Sequence, residues 1–349
     1  MLLAAGLTWL GYTLYNEGLH TVMPLPAEGI HYTVPPGARI LSVANDLAKR
    51  GLLSYPMAMV WVAAARLEGQ AGQIKAGEYA IPAGSTPRGL LEILVRGKSV
   101  DYPYTIVEGW TFRQMLDMLA AQDKLTHTLG TLSDSQIMAK IGAPAQAPEG
   151  WFFPDTYLVP AGTADSEILR LAWQKMQKEL DSAWQQRASD HHLQTPAQLL
   201  TLASIVEKET RQPHERAQIA GVFIRRLQQG MKLQTDPTVI YGLGSGFTGD
   251  LRSEDLRRDT PYNTYTRDGL PPTPICLPGR AALQAAAHPA PGQALYFVAK
   301  SDGGHEFNAT LFQHECAVIQ YQLQGVAPER LRARCRQFPT CSACRERTP

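Results

Sequence analysis

Cysteine is scarce in this sequence: five residues in 349, with three of them within the last fifteen. That is too few for a disulfide framework of the kind that holds small secreted domains together, and a chain this long buries a core without one. Its length suggests two or three domains. A surplus of either charge is missing too, with 33 Lys and Arg against 32 Asp and Glu, a net charge of +1. A protein that grips phosphate backbones carries a positive surplus, so nucleic acid is excluded as the main partner. Charged residues make up 19%, under the roughly 25% usual in soluble domains, while 44% are apolar. That composition excludes a disordered polyelectrolyte.

Several catalytic signatures are also absent. No His-Glu-x-x-His pattern and no Gly-x-Ser-x-Gly elbow occur. Gly242-Leu-Gly-Ser-Gly246 lacks the Lys-Ser/Thr that a phosphate loop requires. Cys341 and Cys344 form the one Cys-x-x-Cys, and no second pair follows. The tail cysteines therefore read as loose thiols or a disulfide, not as a zinc site. No metal and no cofactor is implied.

Charged side chains are missing from residues 1–16, the first acid being Glu17. The run is slightly short of the roughly 20 apolar residues that span a bilayer, and it lacks a basic flank. Its terminal position and the Pro/Gly-rich stretch at 23–29 favour a retained single-pass anchor over 1–20, with a linker at 21–29. The basic flank is then expected upstream of Met1, and the remainder outside the cytoplasm.

Residues 30–100 read as a small module. A strand over 30–34 precedes a helix carrying Ile40, Val43, Ala44 and Leu47, and a second helix covers 56–67. A strand at 75–81 follows, and Thr86-Pro87 opens a helix that Gly97 closes. A mixed region of helices and short strands occupies 101–324, with strand candidates at 101–107, 238–241 and 295–299. Its aromatic loop EGWFFPDTY (149–157) is either a cleft wall or a buried plug. Residues 325–349 hold six Arg against two Glu and read as a peripheral tail. The fold class is α+β.

The segment TPAQLLTLASIVEKET (195–210) is the most informative. Thr195 suits a helix cap, Pro196 the first position, and Gln198 a capping box. Leu199, Leu202, Ala203 and Val206 form an apolar stripe, bordered by Glu207 and Glu209, while Ser204 and Lys208 point away from it. A carboxyl at the edge of such a stripe is partly desolvated. Its pKa rises, as a general acid near neutral pH requires. Charged residues commonly border an apolar stripe, so two solvated glutamates near the helix end are the plainer reading of the pattern, and periodicity does not choose between Glu207 and Glu209. Asp236, before Pro237, is a second carboxylate candidate, and a turn-forming role explains it equally well.

That segment, with MKLQTDPTVIYG (231–242), PYNTY (261–265), GLPP (269–272), AAAHP (285–289) and LYFVA (295–299), resembles the endolytic murein transglycosylase, or YceG-like, family. Upstream, KAGEY (75–79), VEG (107–109) and EGWFFPDT (149–156) fit as well, so the likeness runs over about 30–322. The resemblance implies a LysM-like module at 30–100 before an α+β catalytic domain at 101–324, facing the periplasm from a single-pass inner-membrane anchor. It implies cleavage of nascent peptidoglycan between N-acetylmuramic acid and N-acetylglucosamine, leaving 1,6-anhydro ends. The implied partners are glycan strands, the inner membrane and peptidoglycan synthases. The family's catalytic glutamate falls on Glu209. Gln234, Thr235, Asp236, Tyr262, Asn263 and Tyr265 become candidates for substrate binding. A muramidase using Asp236 as base, or a non-catalytic glycan-binding scaffold, are the competing readings.

Overall fold

The computed structural model describes residues 12, 15–35, 37–97, 99–144, 147–189, 192–323 and 328–345. Most of the expected anchor, residues 1–11 and 13–14, and part of the tail lie outside the described residues. Among those described, no helix is long and apolar enough to cross a membrane. The chain is mixed α and β, with three two-stranded sheets set among helices in the described residues. It divides into two compact units, residues 1–104 with 121–128 and 156–168, and residues 105–120 with 129–155 and 169–349.

The first unit begins β1 (Ile30–Val34), α1 (Ile40–Lys49), α2 (Tyr55–Leu67), β2 (Gly77–Ile81) and α3 (Pro87–Arg96). β1 and β2 pair antiparallel with Tyr32 opposite Tyr79, and both rings enter the core. The apolar positions of α1 are the four the spacing picks out: Ile40, Val43, Ala44 and Leu47 are buried. Trp61 of α2 is completely buried, and its indole N–H donates to the Pro87 carbonyl at 2.9 Å, so the indole's one polar atom goes inward without penalty. Thr86 caps α3 through the Gly89 amide, and Gly97 ends it at φ 66° in the left-handed region. β3 (Asp101–Thr105) and β4 (Thr156–Pro160) form the second sheet.

The second unit holds α4 (Phe112–Ala120), α5 (Asp134–Lys140), most of α6 (Asp165–Gln185), α7 (Pro196–Glu209), α8 (Arg216–Gln228), α9 (Asp236–Leu243), α10 (Ser253–Arg257) and α11 (Arg280–Ala287). The antiparallel pair β5 (Tyr296–Ala299) and β6 (His305–Asn308), then α12 (Leu311–Tyr321), follow. α7 is the central helix. Every residue from Leu199 to Val206 is buried, including Ser204. The expected outward face at Ser204 therefore does not exist. Its hydroxyl donates to the Thr201 carbonyl at 2.7 Å and accepts the Ile275 amide at 3.0 Å, so a small polar residue serves a fully enclosed position. Thr195 does cap α7, but Gln198 Oε1 takes the Gln194 amide rather than closing a box on Thr195. The strand expected at 238–241 is instead part of α9. Pro237 suits the first turn of that helix, the Thr238 hydroxyl donates to the Thr235 carbonyl at 2.8 Å, and burial of Thr238 and Val239 overrides the β preference of a Thr-Val-Ile-Tyr run.

The tail is more than loose thiols. α13 (Pro328–Gln337) and α14 (Ser342–Arg345) are held to α12 by a Cys316–Cys341 disulfide, and a second joins Cys335 to Cys344. Ile319, Cys341, Ala343 and Cys344 bury together as a small separate core. Cys276 alone is free, and it is buried. Alkylation in denaturant is thus expected to label one thiol without reductant and five after reduction, as read by intact mass.

Candidate active site

The C-terminal turn of α7 delivers Glu207 and Glu209 in different directions. Glu207 is used up by the protein. One carboxylate oxygen accepts the Gly279 amide at 2.9 Å, the other lies 3.3 Å from the Arg216 guanidinium, and its side chain is only 6% exposed. Glu209 instead reaches a cavity of about 500 Å³ whose walls include Arg226, Gln234, Thr235, Asp236, Tyr265 and His305. Among the described residues its hydrogen-bond partner is the Thr235 hydroxyl, which donates to Oε1. Oε2 is left for a ligand. Burial, with a smaller contribution from the charge of Asp236, outweighs the Thr235 bond and pushes the Glu209 carboxyl up to about 7. It is therefore a carboxyl that holds its proton near neutral pH and can release it.

The loop before α9 brings Gln234, Thr235 and Asp236 to this cavity. Gln234 is, among the described residues, the one non-glycine at positive φ (51°), a conformation that costs energy and needs external support. The support is specific. Its amide donates to the Thr264 carbonyl at 3.1 Å, and its side-chain oxygen accepts from Arg226 at 3.2 Å. Arg226 is buried, which lowers its pKa, and it donates further to the carbonyls of Lys232, Leu233 and Leu295 at 3.0, 2.9 and 2.6 Å. Thr264 Oγ1 accepts the Thr235 amide at 3.1 Å, so the hydroxyl that meets Glu209 sits on a braced backbone. Asp236 is exposed and accepts from the Tyr265 hydroxyl at 2.6 Å. Burial first, and then that bond, raise the tyrosine's pKa.

Two of the residues singled out from the sequence are not in this cavity. Asn263 is completely buried. Its amide nitrogen donates to the carbonyls of Asp255, Leu256 and Arg258 at 3.3, 3.0 and 2.8 Å, and its oxygen accepts the Tyr265 amide at 2.8 Å. It shapes the loop that presents Thr264 and Tyr265. Asn263→Ala leaves these groups without partners, and is expected to cost about 2 kcal/mol, read as a lower urea midpoint at unchanged slope. Tyr262 lines a different cavity.

Three other residues at this site escaped the sequence reading. Glu215 is buried, and His305 joins it across ninety positions. The imidazole Nδ1 lies 2.8 Å from Oε2, the His305 amide donates to Oε1 at 2.7 Å, and the Thr210 hydroxyl adds a third bond at 3.2 Å. Burial alone would raise the Glu215 pKa, but these bonds hold it below the ordinary carboxylate value. The pair ties β6 to the start of α8 and, through Thr210, to the residue that follows Glu209. Arg226 is the third, and an arginine on an amphipathic helix carries no local mark of such a role. The aromatic loop proves to be both plug and wall. Phe152 is buried and stacks on Phe112 at 5.3 Å, while Glu149 lines a cavity. Gly150 turns this loop at φ 86°, where a Cβ would meet the Pro274 ring at 2.3 Å.

Fold and site together define an α+β protein whose second unit offers one desolvated, single-partnered carboxyl to an open cavity. The chain belongs to the YceG-like family, whose model matches residues 32–320. It is 29% identical over 333 residues to an endolytic murein transglycosylase of Bacillus subtilis, covering 89% of this chain and 90% of that protein. An endolytic murein transglycosylase of Streptococcus pneumoniae is 28% identical over 88% of this chain, which spans 61% of that longer relative. The crystal structure of a YceG-like protein from Listeria monocytogenes matches with a TM-score of 0.51 at 26% identity, over 83% of this chain and 99% of that one.

Proposed function

We propose that this chain is a peptidoglycan lytic transglycosylase, cutting nascent glycan between N-acetylmuramic acid and N-acetylglucosamine to leave 1,6-anhydro ends and so limit strand length. The observation that carries this reading is Glu209, a carboxyl pushed up to about 7 in a cavity, with one hydroxyl partner. Protonated, it gives its proton to the glycosidic oxygen as the bond breaks. As the resulting carboxylate, it takes the proton of the C6 hydroxyl, whose oxygen closes on C1 of the same sugar. The nucleophile is internal, so one acid/base suffices and proximity supplies much of the rate. Gln234, Thr235, Asp236 and Tyr265, which line the same cavity, are the residues we propose to bind sugar hydroxyls around it. Incubation of the chain with uncrosslinked strands should give anhydro-terminated fragments by mass spectrometry. Reducing ends would instead mean hydrolysis.

The first unit is read as a LysM-like glycan-binding module, which its strand–helix–helix–strand core with antiparallel strands supports. Residues 1–20 are read as a single inner-membrane anchor, with the remainder in the periplasm. The two tail disulfides support an oxidising compartment. Nascent strands as substrate make peptidoglycan synthases the expected partners.

The pH profile tests the acid assignment. Because the free enzyme needs Glu209 protonated, kcat/KM is expected to fall as pH rises through about 7. Thr235→Val removes the bond that lowers this pKa and should move the alkaline limb upward. Asp236→Asn removes a charge that raises it and should move the limb downward. Two shifts of the same sign would exclude Glu209 as the titrating acid.

A further inference from the structure

A second cavity in the same unit, about 1020 Å³, is twice the size of the one holding Glu209 and takes no part in the chemistry above. Its walls include Phe112, Glu149, Lys208, Tyr241, Phe247 and Tyr262. Tyr241 and Tyr262 pack edge to face at 4.8 Å. Glu149 is 7% exposed, takes the Phe112 amide at 3.0 Å and the Tyr241 hydroxyl at 3.1 Å, and burial raises its carboxyl to about 7. The charges here are of both signs, Arg113 being paired with Asp134 at 3.0 Å. Such a lining does not select an ion. Aromatic faces beside a few hydrogen-bonding groups suit a neutral, polyhydroxylated ring.

The two cavities also share their framework. Lys208 lines one and Glu209 the other, although their Cα atoms are neighbours about 3.8 Å apart. Asp236 and Pro237 divide in the same way at the start of α9, and Tyr241 lies little more than one turn along it, about 7 Å. The two cavities thus border the same turn of α7 and the same end of α9, a separation within the reach of a short oligosaccharide. We propose that this cavity is a distal glycan subsite, which takes sugar rings of the same strand against Tyr241, Tyr262 and Phe247, the Tyr241 ring being held by its hydroxyl's bond to Glu149. It rests on the reading of the Glu209 cavity as the place of cleavage.

The test is equilibrium binding by calorimetry, using the full chain carrying Glu209→Gln, alone and combined with Phe247→Ala or Glu149→Gln. The ligands are a disaccharide and an octasaccharide of uncrosslinked glycan. Either second substitution is expected to weaken the octasaccharide about tenfold and the disaccharide less than twofold. Phe247 is a half-buried loop side chain, so its removal keeps the test valid if Glu149→Gln fails to fold. Equal octasaccharide affinity in folded variants overturns the proposal. Displacement of the octasaccharide by free stem peptide, and not by peptide-free glycan, overturns it in favour of a peptide site. Since binding is read and not turnover, a wrong assignment of Glu209 shows separately, as cleaved ligand recovered from the Glu209→Gln protein.

Discussion

Glu209→Gln is expected to lower the rate of glycan cleavage by about a thousandfold, with the fold and glycan affinity retained. The substitution keeps the shape of the side chain and an oxygen that can accept the Thr235 hydroxyl, so the cavity wall stays in place. It removes the one proton that the reaction passes back and forth. Among the described residues, no carboxyl of this cavity or behind it is arranged to substitute. Asp236 is exposed and bound to Tyr265, Glu315 is paired with Arg334, and Glu215 is occupied by His305 and Thr210, which keep it ionised. Turnover of uncrosslinked strands, followed by the appearance of anhydro ends, is the measurement. A residual rate within tenfold of wild type would remove Glu209 from the mechanism. A rate lost equally in Asp236→Asn, with reducing ends from the wild type, would make the enzyme a muramidase.

Much of this site was legible as local pattern and little of it as geometry. Spacing located α7, its cap at Thr195 and its two border glutamates, because helical period and capping depend on residues three or four apart. It failed at Ser204, since a helix enclosed on every side has no outward face to infer. It could not rank Glu209 above Glu207. That ranking depends on Gly279 and Arg216 on one side and Thr235 on the other, and only the folded chain brings these together. β propensity misassigned 238–241 because packing against the core decided the matter. The buried hydrogen bonds of Asn263 and the clamp of Arg226 on a left-handed Gln234 leave no trace in periodicity. Nor does the pairing of Cys316 with Cys341, since cysteine spacing alone does not give connectivity.

Glu207→Ala is expected to do the reverse of Glu209→Gln, costing about 3 kcal/mol of stability. The loss comes from what is left behind. Arg216 is only 13% exposed at its side chain, and without Glu207 it becomes an uncompensated buried guanidinium, while the Gly279 amide loses its acceptor. The pair itself adds much less than this. Burial raises the Glu207 pKa against the lowering from the Gly279 amide and Arg216, so desolvation consumes most of the attraction between the charges. The sign follows: a carboxyl whose folded pKa lies above its unfolded one favours folding most at low pH, and that contribution is lost as pH rises through the folded value. Two consequences separate this account from a simple strong salt bridge. The double variant Glu207→Ala with Arg216→Met should recover more than half of the loss, because it removes the stranded charge. The penalty of Glu207→Ala alone should also be no larger at pH 7 than at pH 4, whereas a pair stabilised by its ionisation, its carboxyl held below the ordinary value, would cost more to lose at pH 7 than at pH 4. Urea unfolding of the two variants and wild type at both pH values gives the comparison, and a double variant no more stable than Glu207→Ala would show that the pair is favourable in its own right.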